Sequence, residues 1–369
     1  VHQGYIEPHN ATAIWDEEGR VKVWTSTQGA FPVRTSTAAI LDMDVSKVKV
    51  TPLEIGGGFG GKIPIYLEPV CATLSKKSGR PVKAIMERSN VFQASGPAPG
   101  GTITVKMGTD KNGKLIAADT SIKLEAGGFP GAAVGAAVQC IFAPYDIANT
   151  RIDGYDIVVN KPKSAAYRAP GSPQAAFAAE TVVNELADLN GMDPVDFRIL
   201  NASKEGTRRA DGVVFPVIGN EEVLEAAKAS DHWNSELGTP MKGRIRGRGI
   251  ASGYWFNVGL KSTVNLTVNT DGVVALVEGS TDIGGTRTSI SMQAAEILGI
   301  PATDFRPTVG DTETAGYADV TGGSRTTYAT GFAAVKAAEN LIEVLKERCS
   351  IIWSLDKKDI DFNDNCLGS

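Results

Sequence analysis

One order of elements occurs twice in this chain, and it limits the possible folds more than any other feature. Residues 11–15 and 21–25 are alternating, β-rich runs around the turn Asp16-Glu17-Glu18-Gly19, which predicts a hairpin. A polar loop, Ser26-Thr27-Gln28-Gly29, then leads to a short helix over 35–42 and a strand over 48–55 that runs into Gly56-Gly57-Gly58-Phe59-Gly60-Gly61-Lys62. The order returns with strands over 263–268 and 273–277 around Asn269-Thr270-Asp271-Gly272, the polar loop 279–286 and a helix over 288–298. A strand near Phe305 and the loop Gly322-Gly323-Ser324-Arg325 complete it. Ser26-Thr27-Gln28 and Ser280-Thr281-Asp282 hold matching places. A duplication of this kind predicts one ligand held between loops of the two copies.

Between the copies lie a long hairpin around Asp110-Lys111-Asn112-Gly113 and a helix over 173–189, ended by Asn190-Gly191. Phe177, Val182, Val183, Leu186 and Leu189 are read as its buried face. A last helix over 332–349 precedes a charged tail, 357–365, read as a solvated end. The fold class expected is α+β, with mixed sheets, hairpins and packed helices. The 369 residues suit two domains, 1–238 and 239–369, divided at the polar, basic stretch 238–249.

Composition removes several classes. With 42% hydrophobic and 21% charged residues the chain is neither disordered nor fibrous. A net charge of -5 argues against a nucleic-acid surface. Without an apolar run of about 18 residues, or a basic leader at Val1-His2-Gln3, a cytoplasmic protein with no membrane span is expected. Cys71, Cys140, Cys349 and Cys366 are too far apart in sequence for a zinc or iron–sulfur motif.

Glycine is the unusual residue: 41 of them exceed the ordinary share of about 7% and gather in loops. Residues 56–62 also fit two phosphate-binding patterns. The phosphate-loop reading fails because Ile63 stands where a Ser or Thr hydroxyl is needed. The dinucleotide fingerprint, with Glu87 after a strand over 82–86, is weakened by Pro64, which interrupts the required helix. Structural turns alone explain any single loop. Four stretches, 56–62, 167–174, 279–287 and 321–327, each combine small residues with free amides and hydroxyls or an Arg, as a large anionic ligand requires.

These stretches resemble the molybdenum hydroxylase family of xanthine dehydrogenase and aldehyde oxidase. The loop 56–62 is similar to the family's glycine loop beside the metal, Ala166-Tyr167-Arg168-Ala169-Pro170-Gly171-Ser172-Pro173-Gln174 to its second loop, and Gly322 to Thr327 to its late cofactor loop. His2 to His9 resembles the family's entry into the first cofactor domain, and Asp193-Pro194 through Arg198 to Asn201 its close. The likeness runs from residue 2 to about residue 347.

The resemblance implies two related molybdenum-cofactor-binding domains, the second partial. Their cofactor is molybdenum–molybdopterin, often extended in bacteria to the cytosine dinucleotide, and its pterin dithiolene holds the metal, so no protein metal ligand is expected. The cofactor-binding residues it implies are Gln28, Gly58, Phe59, Gly60, Arg168, Gly284, Gly285, Thr286, Gly323, Ser324, Arg325 and Thr326. The implied reaction is hydroxylation of an aldehyde or aromatic N-heterocycle by water, with electrons leaving through an iron–sulfur subunit and an FAD subunit. The family's general base is a Glu in a Gly-x-Gly-Glu loop that this sequence lacks, and Glu7, Glu54, Glu68 and Glu180 are read as locally paired, so no catalytic residue is assigned. The chain is then a fragment, or one of two molybdopterin subunits that share a site.

Three further departures bear on substrate. The loop 167–170 lacks the Cys of the carbon monoxide branch, Ile63 replaces the Glu of purine oxidisers, and Gly285 stands where many members carry Gln. Two other readings remain open, a non-catalytic scaffold subunit and a Rossmann-type nucleotide-binding dehydrogenase. His2 and His9 are read as structural, and Tyr254, Trp255 and Phe256 as core aromatics in preference to substrate-stacking groups.

Overall fold

The computed structural model describes residues 1–363 and 365–368. It divides into two compact units. One comprises Val1 and Gly96–Trp255, the other His2–Ser95 and Phe256–Ser369, so both copies of the repeated order lie in a single unit.

In that unit the first copy runs β1 (Asn10–Trp15), β2 (Val21–Thr25), α1 (Ala30–Ile40), β3 (Val48–Pro52), α2 (Glu68–Ser78), β4 (Val82–Ile85) and α3 (Arg88–Ala94). The sheet order is β3-β2-β1-β4. The β1–β2 hairpin is antiparallel, whereas β2 and β3 pair parallel across α1, with Val21 opposite Val48. Helix α1 begins at Ala30, earlier than expected, because Pro32 falls in the first turn, where no helical hydrogen bond needs its missing N–H. Ala13, Val23, Val33, Val50 and Cys71 are among the side chains of its core.

The second copy repeats this. β8 (Val264–Val268) and β9 (Val274–Glu278) form a hairpin, and α9 (Thr286–Leu298) carries the chain to β10 (Phe305–Val309), parallel to β9. The order is β10-β9-β8, over a core that includes Leu276, Ile290, Ala294, Phe305 and Ala334. The copies meet through one backbone bond and one backbone-to-side-chain bond: Thr312 N–H donates to Val50 O at 3.0 Å, and Val50 N–H to Thr312 Oγ1 at 3.0 Å. Lys49 pairs with Asp311 and Glu313 beside this junction.

Helix α10 (Gly331–Trp353) follows a π turn at Thr326–Thr330 and runs four residues past the expected end. The tail is not simply a solvated end. It forms the small hairpin β11 (Asp361–Asn363) and β12 (Cys366–Gly368), anchored by buried Ile360.

The other unit holds β5 (Gly101–Thr109), β6 (Leu115–Gly127), α4 (Val134–Cys140), β7 (Asn149–Val158), α5 (Ser172–Leu189), α6 (Pro194–Asn201), α7 (Asn220–Ala229) and α8 (Asp231–Asn234). The buried face of α5 agrees with the expected one at Val183 and Leu186 and departs from it at the ends. Phe177 is 80% and Leu189 82% exposed, while Ala175, Ala179, Val183 and Ala187 form the inner stripe. Spacing of three to four residues holds for the alanines, whose small side chains let α5 pack closely on its sheet. All four cysteines are free, Cys71 and Cys140 buried.

Candidate functional site

Three of the four small-residue loops belong to the duplicated unit, and Gln28 ties two of them together. Its Oε1 accepts from the amides of Gly60 at 2.8 Å and Lys62 at 3.2 Å, and its Nε2 donates to Thr321 O at 2.7 Å. A Cβ on Gly58 would lie 2.5 Å from Gln28 Oε1, so the loop closes on this carboxamide only with glycine there. The outcome is a strained backbone: Gly57, Phe59 and Gly60 take φ of 89°, 51° and 103°. A left-handed aromatic residue is rare and marks a site held by its surroundings. Phe59 is 41% exposed, and no described residue accepts its N–H.

The base of this loop is an ion pair. Lys62, almost fully buried, donates to Glu7 Oε2 at 2.7 Å and Ser26 Oγ at 2.8 Å. Burial raises the Glu7 carboxyl, but bonds from Lys62, Ser26, Gly56 and Asn10 outweigh it and hold the group at about 2. Burial, and then the Lys62 charge, push His9 down to about 4. Neutral His9 takes a bond with the Tyr5 hydroxyl at 2.9 Å, so the opening segment serves to seat the loop. No cluster of three or more His, Cys, Asp or Glu side chains suited to a metal occurs among the described residues. Lys62 is engaged within the protein, and residues 56–67 stay irregular until α2 starts at Glu68. Both features remove the phosphate-loop and Rossmann readings, which need a free Lys or a helix directly after the glycines.

In the second copy the polar loop is wired differently. Asp282 accepts from the amides of Gly285 at 2.7 Å, Thr286 at 2.8 Å and Arg287 at 3.3 Å, from Thr286 Oγ1 at 3.0 Å and from Arg287 Nε at 2.8 Å. Burial opposes ionisation of Asp282, yet these donors, Arg287 first, hold it at about 2. The amides of Gly285 and Thr286, expected to meet a ligand, therefore already meet a carboxylate. Gly284 and Gly285, both at φ 97°, line a cavity of about 480 Å³ with Glu54, Ile55, Asp282 and Arg287. Arg287 also reaches Glu54 at 2.9 Å.

The late loop is fixed from beneath. Arg325, almost fully buried, donates to Gly259 O and Lys261 O at 2.7 Å, to Asp319 O at 3.0 Å, to Val320 O at 3.1 Å, and to Ser262 Oγ. Its guanidinium is thus spent on protein acceptors. Gly323 and Ser324 are left-handed, at φ 69° and 58°. Two hydroxyls, Thr281 Oγ1 and Thr326 Oγ1, are buried without a partner. So are both carboxyl oxygens of Glu278, a residue that alternation along β9 points toward the helices. Burial, then the Asp282 charge, raise Glu278 to about 8, so it is neutral at pH 7. Sequence reading missed Glu278, because an acid at a strand end looks like a solvated one.

Arg168 belongs to the other unit. It is exposed, and the strained run continues through it, with φ of 22° at Arg168, 58° at Ala169 and 85° at Gly171. A Cβ on Gly171 would come within 2.4 Å of Ala133 O. Glu180, on the helix this loop opens, is buried against Arg198 at 2.7 Å and accepts from Ser252 N–H and the Tyr145 hydroxyl. Glu7, Glu54, Glu68 and Glu180 are therefore all locally engaged, as read from sequence. Tyr254 packs on Phe215 and Arg209, a structural role.

Glycine loops pinned from beneath, with an unclaimed amide in the left-handed region, define a class of protein that presents backbone to a bound group. The particular family is given by comparison. Residues 1–202 and 221–368 match family models described as molybdopterin cofactor-binding domain. The chain is 31% identical over 321 residues to the aldehyde oxidoreductase molybdenum-binding subunit PaoC of Escherichia coli O157:H7, covering 83% of this chain and 42% of that one. It is 35% identical over 229 residues to the nicotinate dehydrogenase large molybdopterin subunit of Eubacterium barkeri, covering 61% and 54%. Quinoline 2-oxidoreductase of Pseudomonas putida 86 superposes with a TM-score of 0.83 at 20% identity, over 100% of this chain and 50% of that one. The chain belongs to the molybdopterin-binding family of the molybdenum hydroxylases, which includes xanthine dehydrogenase and aldehyde oxidoreductase subunits, and it spans about half the length of these relatives. Among the described residues no helix is long and apolar enough to cross a membrane.

Proposed function

We propose that this chain is the molybdopterin-binding part of a molybdenum hydroxylase that oxidises an aldehyde or an aromatic N-heterocycle with water. Electrons leave through iron–sulfur and FAD partners. One observation carries the reading: Gln28 closes two loops and leaves the left-handed Phe59 amide unclaimed. The fit to a pterin-held metal is also supported by the unpartnered hydroxyls of Thr281 and Thr326 and by the small lining at Gly284. Such a cofactor needs neutral contacts from its protein, and when bound it supplies the redox centre for hydroxylation.

In this reading Phe59, Gly323 and Ser324 present backbone, while Gln28, Gly58 and Gly60 set the loop's shape. Gly285 and Thr286 act through the turn that Asp282 organises, and Arg325 holds the late loop. Arg168 belongs to the first cofactor domain, 1–238, as a cofactor-binding residue of its own loop, and 239–369 is the second cofactor domain. Ile63, apolar and following Lys62, offers a purine edge no hydrogen bond, which favours the other substrates. None of residues 1–369 is assigned as the proton acceptor.

Metal and nucleotide analysis of the complex purified through a tag on this chain tests the reading. Expected is about one molybdenum per chain with stoichiometric pterin, and cytidine monophosphate on acid hydrolysis if the cofactor is the cytosine dinucleotide. Complex containing neither molybdenum nor pterin overturns it and leaves a scaffold role.

A further inference from the structure

Along β9 the buried row is Val274, Leu276 and Glu278. An acid in such a row costs stability unless donors meet it, so a buried carboxyl is expected to bring a partner. The first copy shows the ordinary solution. Both hairpins close at matching turns, where Gly19 N–H donates to Asp16 O at 3.1 Å and Gly272 N–H to Asn269 O at 3.0 Å. Counted from these turns, the first copy's equivalent of Glu278 is Thr25. Its hydroxyl donates to Glu68 Oε1 at 2.8 Å, so the buried acid at that level comes from α2 and is bonded. In the second copy the acid stands on the strand itself, and among the described residues neither of its oxygens meets a donor.

The charged groups that reach Glu278 are Asp282 of its own loop, Arg287 of α9 and Arg325 of the late loop. Both arginines are bonded elsewhere, Arg287 to Asp282 and Glu54, Arg325 to carbonyls and Ser262. The neighbouring strands set Val264 and Val309 opposite Glu278, and α10 buries Gly331, Ala334 and Ala338, none of which ionises. Two residues beyond Glu278 a row of hydroxyls begins. Ser280 Oγ lies 2.9 Å from Thr330 Oγ1, and Thr330 Oγ1 lies 2.7 Å from Ser262 Oγ, which Arg325 Nη2 meets from the other side. A guanidinium only donates, so Ser262 accepts from Arg325 and turns its own hydrogen to Thr330, and Thr330 turns its hydrogen to Ser280. Ser280 and Thr330 are fully buried and Ser262 half-buried, so the row leads outward from the level of the carboxyl.

We propose that Glu278 is a proton-binding site linked to reduction of the cofactor, reached from solvent through Ser262, Thr330 and Ser280. It rests on the function assigned above: Glu278 immediately precedes the loop 279–286 and feels the charge of Arg325, which joins it to two of the loops assigned there to the cofactor. Electrons from the substrate add negative charge beside the carboxyl and strengthen its hold on a proton. One proton enters from water at Ser262 for each reduction that finds Glu278 ionised, and one leaves by the same row when the partners take the electrons. No other bond changes. A carboxyl left without donors suits this role, because no fixed partner holds it in one protonation state.

Infrared spectra of the full chain follow the proton directly. Glu278→Gln keeps the shape of the protonated acid, and the protonated-carboxyl band it removes is expected to fade as pH rises through about 8. After a pH jump, Thr330→Val, or Ser262→Ala at the less packed outer end, is expected to reach the wild-type end point at least about tenfold more slowly. In the molybdenum-loaded complex, wild type and Glu278→Gln are expected to share one reduction potential near about pH 6. Near about pH 9 the wild type is expected to be reduced about tenfold less readily, or about 59 mV lower for one electron. A band that persists to about pH 10 overturns the proposal, and so do equal rates after the jump, which would show another path for the proton. Molybdenum content separates the remaining failures. A complex without molybdenum overturns the function and, with it, the link to reduction, whereas a loaded complex whose potential follows pH alike in both proteins overturns the link alone.

Discussion

Gln28 and Asp282 both lie in the loop that follows the second strand of their hairpin, Gln28 three residues after β2 and Asp282 four after β9, and each gathers the amides of a glycine turn. They do so with different charge. Gln28 is a neutral acceptor and donor that links two loops, while Asp282 is a carboxylate that caps the start of α9 and is balanced by Arg287. A carboxamide can bridge a donor and an acceptor at once, which suits a junction between loops. A carboxylate accepts on both oxygens, which suits a helix start where several N–H groups converge. The same topology has thus been wired once for linkage and once for anchoring.

Removing the anchor gives the largest expected effect. Asp282→Ala leaves the first amides of α9 and the Arg287 guanidinium without their acceptor, and is expected to cost about 3–5 kcal/mol in chemical denaturation. A loss below about 1 kcal/mol would show that the amides find water equally well, and the contrast with Gln28 would collapse. Exchanging the charge on the linking side comes next. Gln28→Glu turns the Nε2 donor that faces Thr321 O into a buried acceptor, with an expected loss of about 2–4 kcal/mol and of molybdopterin content. Unchanged stability would mean the loops are joined by the Gln28 backbone bonds alone.

The third effect is a slope with pH, with little offset at the acidic end. Glu278 has a folded value of about 8, above its unfolded one, so its stabilising share is complete below about 4.5 and is lost as pH rises through 8. In Glu278→Gln that part of the decline between pH 5 and 8 is expected to disappear from thermal melts. An identical slope in both proteins would place the ionisation elsewhere.

Much of this was legible in the sequence, for definite reasons. Both hairpins show in alternation and in Asp-to-Gly turns, and both helices of the repeat show in periodicity, because those signals are local. The loop 56–62 was also legible, since consecutive glycines have few other uses. What escaped depends on distant partners. Nothing near Lys62 shows that its ammonium would be buried against Glu7, and nothing near Arg325 shows that carbonyls at 259, 261, 319 and 320 would claim it. Phe177 misled for the opposite reason: a large apolar residue draws the eye, while the packing on α5 is done by alanines.

The bond between Val50 and Thr312 joins residues 262 apart, and this sets the order in which the molecule is made. Closing a flexible loop of that length costs about 5 kcal/mol in chain entropy. On a ribosome adding roughly 5–20 residues per second, the wait between the two is about 13–50 s. During it the outer side of β3 has no neighbour, although its alternating valines and their own helices have already left the exit tunnel. The stretch in between is complete and free to fold before the unit that flanks it can close, so the last part of the N-terminal sheet to settle is one of the first to be synthesised.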